Sequence, residues 1–333
     1  MADATAEEHL EVDENINDDK DSAIGSEGAS DTTSLQSWIT DYREENGRTY
    51  HAFRDGAYFQ PNDEMAQEAL DSDISHHLFL KTFDNRLFLA PLPQQVNKVL
   101  DIGTGTGIWA IDFADEHPEA EVIGTDLSPI QPQWMPPNCR FEIDDADHPH
   151  WTYDTSTIDF IHVRSLFGCI TSWPAFYDEC YRTLKPGGWI EQAEFSPGFY
   201  SEDDTVTDEH IMGDWIKHGK KCFEIMGKEI MVFEKMKGMI EEAGFVDVEE
   251  RKYKWPIGTW PKDRRMKELG AWARAHIDSG LEGWTLRVLT GLLGWTREEV
   301  LAYCAGMRAD MRNPKLHGIH EMRVVFARKP AAS

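Results

Sequence analysis

One string constrains this chain more than any other: Val99-Leu-Asp-Ile-Gly103-Thr-Gly105-Thr-Gly107-Ile-Trp. Val99 to Ile102 is an apolar run short enough for a strand. Residues 106–116 carry Ile108, Ile111 and Ala114 on one helical face. Glycines in the turn between them allow positive φ and close approach of a ligand to the backbone. The helix start adds free N–H groups and a partial positive end.

The strand–helix pattern continues downstream. Strands are expected at Glu121 to Thr125, Arg140 to Ile143, Ile158 to Val163 and Trp189 to Ala193. The last of these follows a helix from Trp173 to Leu184 and a Lys185-Pro-Gly-Gly turn. Two helical stretches at about 206–226 and 228–243 precede a strand from Val246 to Trp255. Residues 263–312 read as helix interrupted at Gly280, Gly283, Gly291 and Gly294, and Ile319 to Ala327 reads as a final strand. Strands separated by helices indicate a parallel sheet with right-handed crossovers.

Ahead of the sheet the chain changes character twice. Residues 1–34 hold eleven acids, one lysine and no aromatic residue, and are read as a disordered acidic tail. Residues 35–95 are rich in aromatics and are read as a helical layer, with a helix or two from Asp63 to Leu89 ended by Pro91 and Pro93. The formal net charge is -27, which disfavours nucleic acid and anionic membrane surfaces as partners. No apolar run approaches a membrane span, and the acidic amino terminus is unlike a signal peptide. The five cysteines are scattered with no C-x-x-C pair, so neither a disulfide framework nor a zinc site is suggested. A reducing cytoplasmic or nuclear compartment fits best.

Acidic residues at strand ends narrow the ligand. The glycine spacing is G-x-G-x-G, with Ile108 where a dinucleotide fingerprint places its third glycine, and no G-x-x-x-x-G-K-[ST] occurs. Asp101 lies in the first strand, where a carboxylate repels pyrophosphate and suits an amino-acid ammonium. Asp126 ends the second strand and can accept both hydroxyls of a ribose. Asp144-Asp145-Ala146 follows the third strand, where a carboxylate can accept the exocyclic amine of adenine. The glycine loop alone could be a tight packing turn, Asp126 a helix cap, and Asp144 and Asp145 loop solvation. Taken together, in order, they describe S-adenosyl-L-methionine, bound where open α/β sheets bind ligands.

The chain resembles the class I S-adenosylmethionine-dependent methyltransferases. Asp101-Ile-Gly-Thr-Gly-Thr-Gly107 matches their first motif, Asp126 the second and Asp145-Ala146 the third, while Leu184-Lys-Pro-Gly-Gly-Trp matches the turn before their fifth strand. Within that superfamily it resembles the fungal LaeA-type methyltransferases, which act in or regulate secondary metabolism. Gly47-Arg-Thr-Tyr-His-Ala-Phe-Arg, Tyr58, Pro61-Asn-Asp-Glu, His76-His-Leu-Phe-Leu, Phe141-Glu-Ile-Asp-Asp-Ala and Val163-Arg164 carry this likeness. The resemblance implies a Rossmann-like, seven-stranded, mostly parallel sheet with helices on both faces. It further implies a methyltransferase domain over 96–333, with a helical insert at about 257–318 before the last strand. The cofactor residues it implies are Asp101, Gly103, Thr104, Gly105, Gly107, Asp126, Leu127, Asp145, Ala146 and Arg164.

Catalysis needs a base only for a protonated acceptor. Tyr58, His76 and His77 are the candidates, with His162 and Glu194 behind them; each could equally be a packed or satisfied side chain. Arg164 either meets the methionine carboxylate or pairs with a neighbouring acid. After the fourth strand the chain reads Val163-Arg-Ser-Leu, not [DN]-P-P-[YF], which argues against nucleic-acid base methylation. Three functions are open: methyl transfer to an O or N acceptor on a small molecule, a regulator that binds S-adenosylmethionine and acts through protein partners, and, least favoured by Asp101, Asp126 and Asp145, a non-methylating binder of a related nucleotide. The insert, with Trp260, Trp272, Trp284 and Trp295, covers an acceptor pocket, binds a partner or simply packs.

Overall fold

The computed structural model describes residue 10 and residues 42–54, 58–64, 66 and 73–331. Apart from Leu10, the acidic tail lies outside the described residues.

A two-stranded hairpin, β1 (Arg43–Glu45) and β2 (Arg48–Tyr50), opens the described chain. Sequence analysis expected only helix in this layer. The turn explains the hairpin: Asn46 and Gly47 take φ values of 54° and 78°, the left-handed pair that suits a two-residue connection between twisted strands. Helix α1 (Asp73–Thr82) follows. It stops well before the prolines, because Asp84 and Asn85 turn left-handed at φ 55° and 61°.

The main sheet is built from β3 (Lys98–Ile102), β4 (Glu121–Asp126), β5 (Cys139–Ile143), β6 (Ile158–Arg164), β7 (Leu184–Phe195), β8 (Val246–Pro256) and β9 (Ile319–Arg328). Its order is β5-β4-β3-β6-β7-β9-β8. The first five run parallel, and β9 is antiparallel to both β7 and β8. The chain winds outward from β3 to β5, then returns to β6 on the other side of β3. That reversal opens a crevice beyond the carboxyl ends of β3 and β6.

Both sheet faces are covered, so the parallel strands are apolar along their length. On β3, Val99 enters one core with Trp109, Phe113 and Phe160, while Leu100 and Ile102 enter the other with Ile161, Val163 and Tyr177. The first core lies under α2 (Ile108–Glu116). The second lies under α3 (Trp173–Thr183) and α5 (Val232–Glu242). Trp109 is 1% exposed, and its indole N–H donates to the Leu87 carbonyl at 2.8 Å, tying the segment before the sheet to α2.

Three further helices, α4 (Ile211–Met226), α6 (Arg264–Leu293) and α7 (Arg297–Arg312), pack on one another, and α6 also packs on α1 and β8. Helix α6 passes unbroken through Gly280, Gly283 and Gly291, contrary to expectation, and ends at Gly294 with φ 72°. Glycine weakens a helix by about 1 kcal/mol relative to alanine, but packing overrides that here. A Cβ at Gly280 would stand 2.3 Å from the Trp284 ring. Among the described residues, no helix is long and apolar enough to cross a membrane.

Candidate active site

The loop between β3 and α2 takes left-handed φ at Gly103 (69°), Gly105 (60°) and Gly107 (87°). The three glycines serve different ends. A Cβ at Gly103 would lie 2.4 Å from Leu166, and one at Gly107 would lie 2.3 Å from the Phe141 ring. A Cβ at Gly105 would meet nothing within 4 Å. The first and third glycines therefore permit packing, and the second leaves bare backbone facing open space.

That space is a cleft at the switch point of the sheet. Gly103, Thr104 and Gly105 line it, as do Asp126 and Leu127 from the tip of β4. Asp145 and Ala146 beyond β5, Arg164 at the end of β6 and Tyr58 complete the residues that sequence analysis singled out.

Two expected residues do not line it. Gly107 caps α2 beneath Phe141. Asp101 is 3% exposed: its Oδ2 accepts from the Thr104 hydroxyl at 2.6 Å and its Oδ1 from His162 Nδ1 at 2.7 Å. The expected direct contact with a ligand ammonium is therefore corrected to a brace under the loop. His162 lies beside Asp101 in the β3–β6 register and stacks on Trp109 at 3.7 Å and 4°. Burial holds its pKa below the usual range, so the ring is neutral at pH 7. Asp101→Ala strands two buried donors and should cost roughly 1–3 kcal/mol, read as a lower urea midpoint. An unchanged midpoint would show that the brace carries no load.

Asp126 is the junction of loop and sheet. Its Oδ2 accepts from the Gly105 N–H at 2.9 Å and its Oδ1 from the Ser128 N–H at 3.0 Å. Burial nevertheless pushes its carboxyl up to about 6. Gln131, absent from the sequence reading, donates to the Gly105 carbonyl at 2.5 Å and so holds the same peptide from the other side. Asp145 pairs with Arg54 at 2.7 Å and accepts from the Asp147 N–H at 2.9 Å. Sequence analysis gave Arg54 no site role; it reaches Asp145 from a left-handed residue, φ 51°, just past the hairpin.

Arg164 is a half-buried cation with no carboxylate in ion-pair range among the described residues. Its guanidinium lies 4.7 Å above the Phe79 ring, and Nη1 donates weakly to His76 Nδ1 at 3.4 Å. Burial lowers its pKa to about 10, leaving it charged at neutral pH.

Of the candidate bases, only Tyr58 reaches the cleft, and burial pushes its hydroxyl well above the ordinary range. The others are placed elsewhere. His76 Nε2 meets Asp112 at 3.0 Å, and His77 packs on Trp272 at 4.4 Å. Glu194 accepts from the Leu166 and Phe167 N–H groups at 3.0 and 3.2 Å, so it is a strut for the chain beyond β6.

A strand–loop–helix cleft with acids at successive strand tips defines a class of nucleotide-type ligand sites, and comparison with known proteins gives the family. Residues 74–250, more than half the chain, match the methyltransferase domain family. The chain is 40% identical to methyltransferase pytC of Aspergillus terreus over 90% of its own length and 92% of the relative's. It is 35% identical to the secondary metabolism regulator LAE1 of Cochliobolus heterostrophus, covering 86% and 94% of the two chains. It is 32% identical to the protein-methionine methyltransferase laeA of Emericella nidulans, covering 92% and 81%. The chain belongs to this methyltransferase family, and S-adenosylmethionine is its cofactor.

Proposed function

We propose that the cleft binds S-adenosylmethionine with its ribose on Asp126, its adenine beside Asp145 and its carboxylate on Arg164. The chain then transfers the methyl group to an oxygen or nitrogen of an acceptor in fungal secondary metabolism. The observation that carries this reading is the convergence of Arg164, a half-buried cation with no carboxylate in ion-pair range among the described residues, with Asp126, Asp145 and the bare Gly105 backbone in one cleft. An amino-acid carboxylate would pair with that guanidinium. The relatives named for secondary metabolism support the setting.

When bound, the cofactor supplies an activated methyl on a sulfonium. The protein's part is largely positioning. The glycine loop admits the ligand against the backbone, Asp126 orients hydroxyls, and Arg164 fixes the amino-acid end. The regulator and protein-methionine methyltransferase among the relatives favour a second reading, in which the acceptor or partner is a protein, in the nucleus or the cytoplasm. Incubation with a labelled methyl donor plus either metabolite extract or nuclear proteins separates the two. Label in small molecules alone supports the first reading; label in protein alone supports the second.

Asp126→Ala should weaken binding of S-adenosylhomocysteine by roughly 1–3 kcal/mol in calorimetry. With the carboxyl at about 6, the wild-type affinity should also decline as pH falls from 7.5 to 5.5, because protonation removes an acceptor. Asp126→Asn should flatten that decline. An affinity independent of pH in the wild type would contradict the assignment.

A further inference from the structure

A second cavity lies next to the cleft among the ends of β7 and β9 and helices α4, α6 and α7. Two chain segments wall both spaces. Tyr58 and Leu166 line the cleft, and their chain neighbours Phe59 and Phe167 line the second cavity. The donor site and the second cavity therefore adjoin at these two segments.

The lining tells what fits. Phe195, Phe199, Trp215, Trp284 and Tyr303 present rings, and no Lys, Arg, Asp or Glu is among the described lining residues. A charged ligand would lose its hydration without gaining a partner. Flat ring systems gain stacking and edge contacts instead. Trp215 and Tyr303 already lie nearly parallel, 7° apart at 5.8 Å.

The polar groups at the wall can meet a hydroxyl: an imidazole nitrogen accepts from it and a phenol can donate to it. His320 Nε2 bonds to the Ser196 carbonyl, so Nε2 carries the hydrogen. Its Nδ1, and the Tyr303 hydroxyl, are buried without a partner. His218 lines the cavity too, and its Nε2 meets Asp214 at 3.0 Å.

We infer that this cavity seats the methyl acceptor, and that the acceptor is an uncharged, planar aromatic small molecule bearing a hydroxyl. The inference rests on the neighbouring cleft being the donor site. In the transfer, the acceptor oxygen bonds to the methyl carbon and the hydroxyl proton passes to solvent. The methyl–sulfur bond breaks, and its electron pair stays on sulfur, which leaves as the neutral thioether of S-adenosylhomocysteine.

The test uses the full chain and 2-naphthol, with 2-naphthoate as the charged control. Binding is followed by quenching of tryptophan fluorescence without any donor, so it does not depend on the cleft. The wild type should bind 2-naphthol and not 2-naphthoate. Val288→Phe, which fills the cavity, should weaken 2-naphthol binding roughly tenfold or more, and Trp215→Ala, a partly exposed position, by roughly threefold to tenfold. Affinity for S-adenosylhomocysteine, measured separately, should stay within about twofold in both variants; its loss in the wild type would indict the donor reading instead. Preference for 2-naphthoate, or 2-naphthol binding indifferent to both cavity variants, would overturn the inference.

Discussion

Gly105→Val should reduce affinity for S-adenosylhomocysteine at least about a hundredfold while the protein keeps its fold. The backbone there holds φ 60°, a region that a β-branched residue occupies only with strain of roughly 1–3 kcal/mol. An added Cβ meets nothing within 4 Å, so the surrounding packing has room for the substitution. What it fills is the space where a ligand must meet bare backbone, beside the Gly105 N–H that Asp126 holds. Calorimetry reports the loss, and thermal unfolding reports the retained fold. Wild-type affinity in a folded variant would remove the loop from the binding site.

Glu194→Ala should produce the largest loss of stability. Glu194 is fully buried, and it supplies the acceptors for the Leu166 and Phe167 N–H groups and for the Gln192 amide at 3.0 Å. Each stranded buried donor costs roughly 1–3 kcal/mol, so the two backbone groups alone cost roughly 2–6 kcal/mol. That is a large part of an ordinary domain's stability. Leu166 and Phe167 face the two cavities, so the damage should reach both.

The pH dependence has a defined sign. Burial pushes the Glu194 carboxyl up to about 7, above its unfolded value. Folding therefore favours its protonated form. This contribution is present in full below the unfolded pKa and is lost as pH rises through about 7. Glu191, which accepts from the Leu89 and Ala90 N–H groups, is raised to about 7 for the same reason. Glu194→Gln should thus reduce, without abolishing, the fall in urea midpoint between pH 5 and 8. An undiminished slope would mean that Glu194 does not titrate in that range.

Much of this site was legible because its signals are local. The glycine spacing, the acids at the ends of β4 and β5 and the apolar strands all lie within short windows, and the structure brings Gly103, Gly105, Asp126, Asp145 and Arg164 to one cleft. Asp101 was misjudged because its role depends on a neighbour across the sheet. Its partner His162 is 61 residues away and adjacent only through the β3–β6 register. Arg54 and Gln131 escaped notice for the same reason: their contacts are tertiary. The hairpin was different. Asn46-Gly47 is a strong turn signal, and it was passed over in favour of the aromatic residues around it. The glycines of α6 misled because a weak helix propensity was set against packing that only the folded chain displays.

The central claim is that the methyl donor lies against the glycine loop with its ribose on Asp126. A crystal structure of the full chain with S-adenosylhomocysteine tests it most directly. The account predicts the ribose hydroxyls on the Asp126 carboxylate, the adenine beside Asp145 and the amino-acid carboxylate on Arg164. A ligand bound elsewhere, with Asp126 and Arg164 untouched, would contradict it.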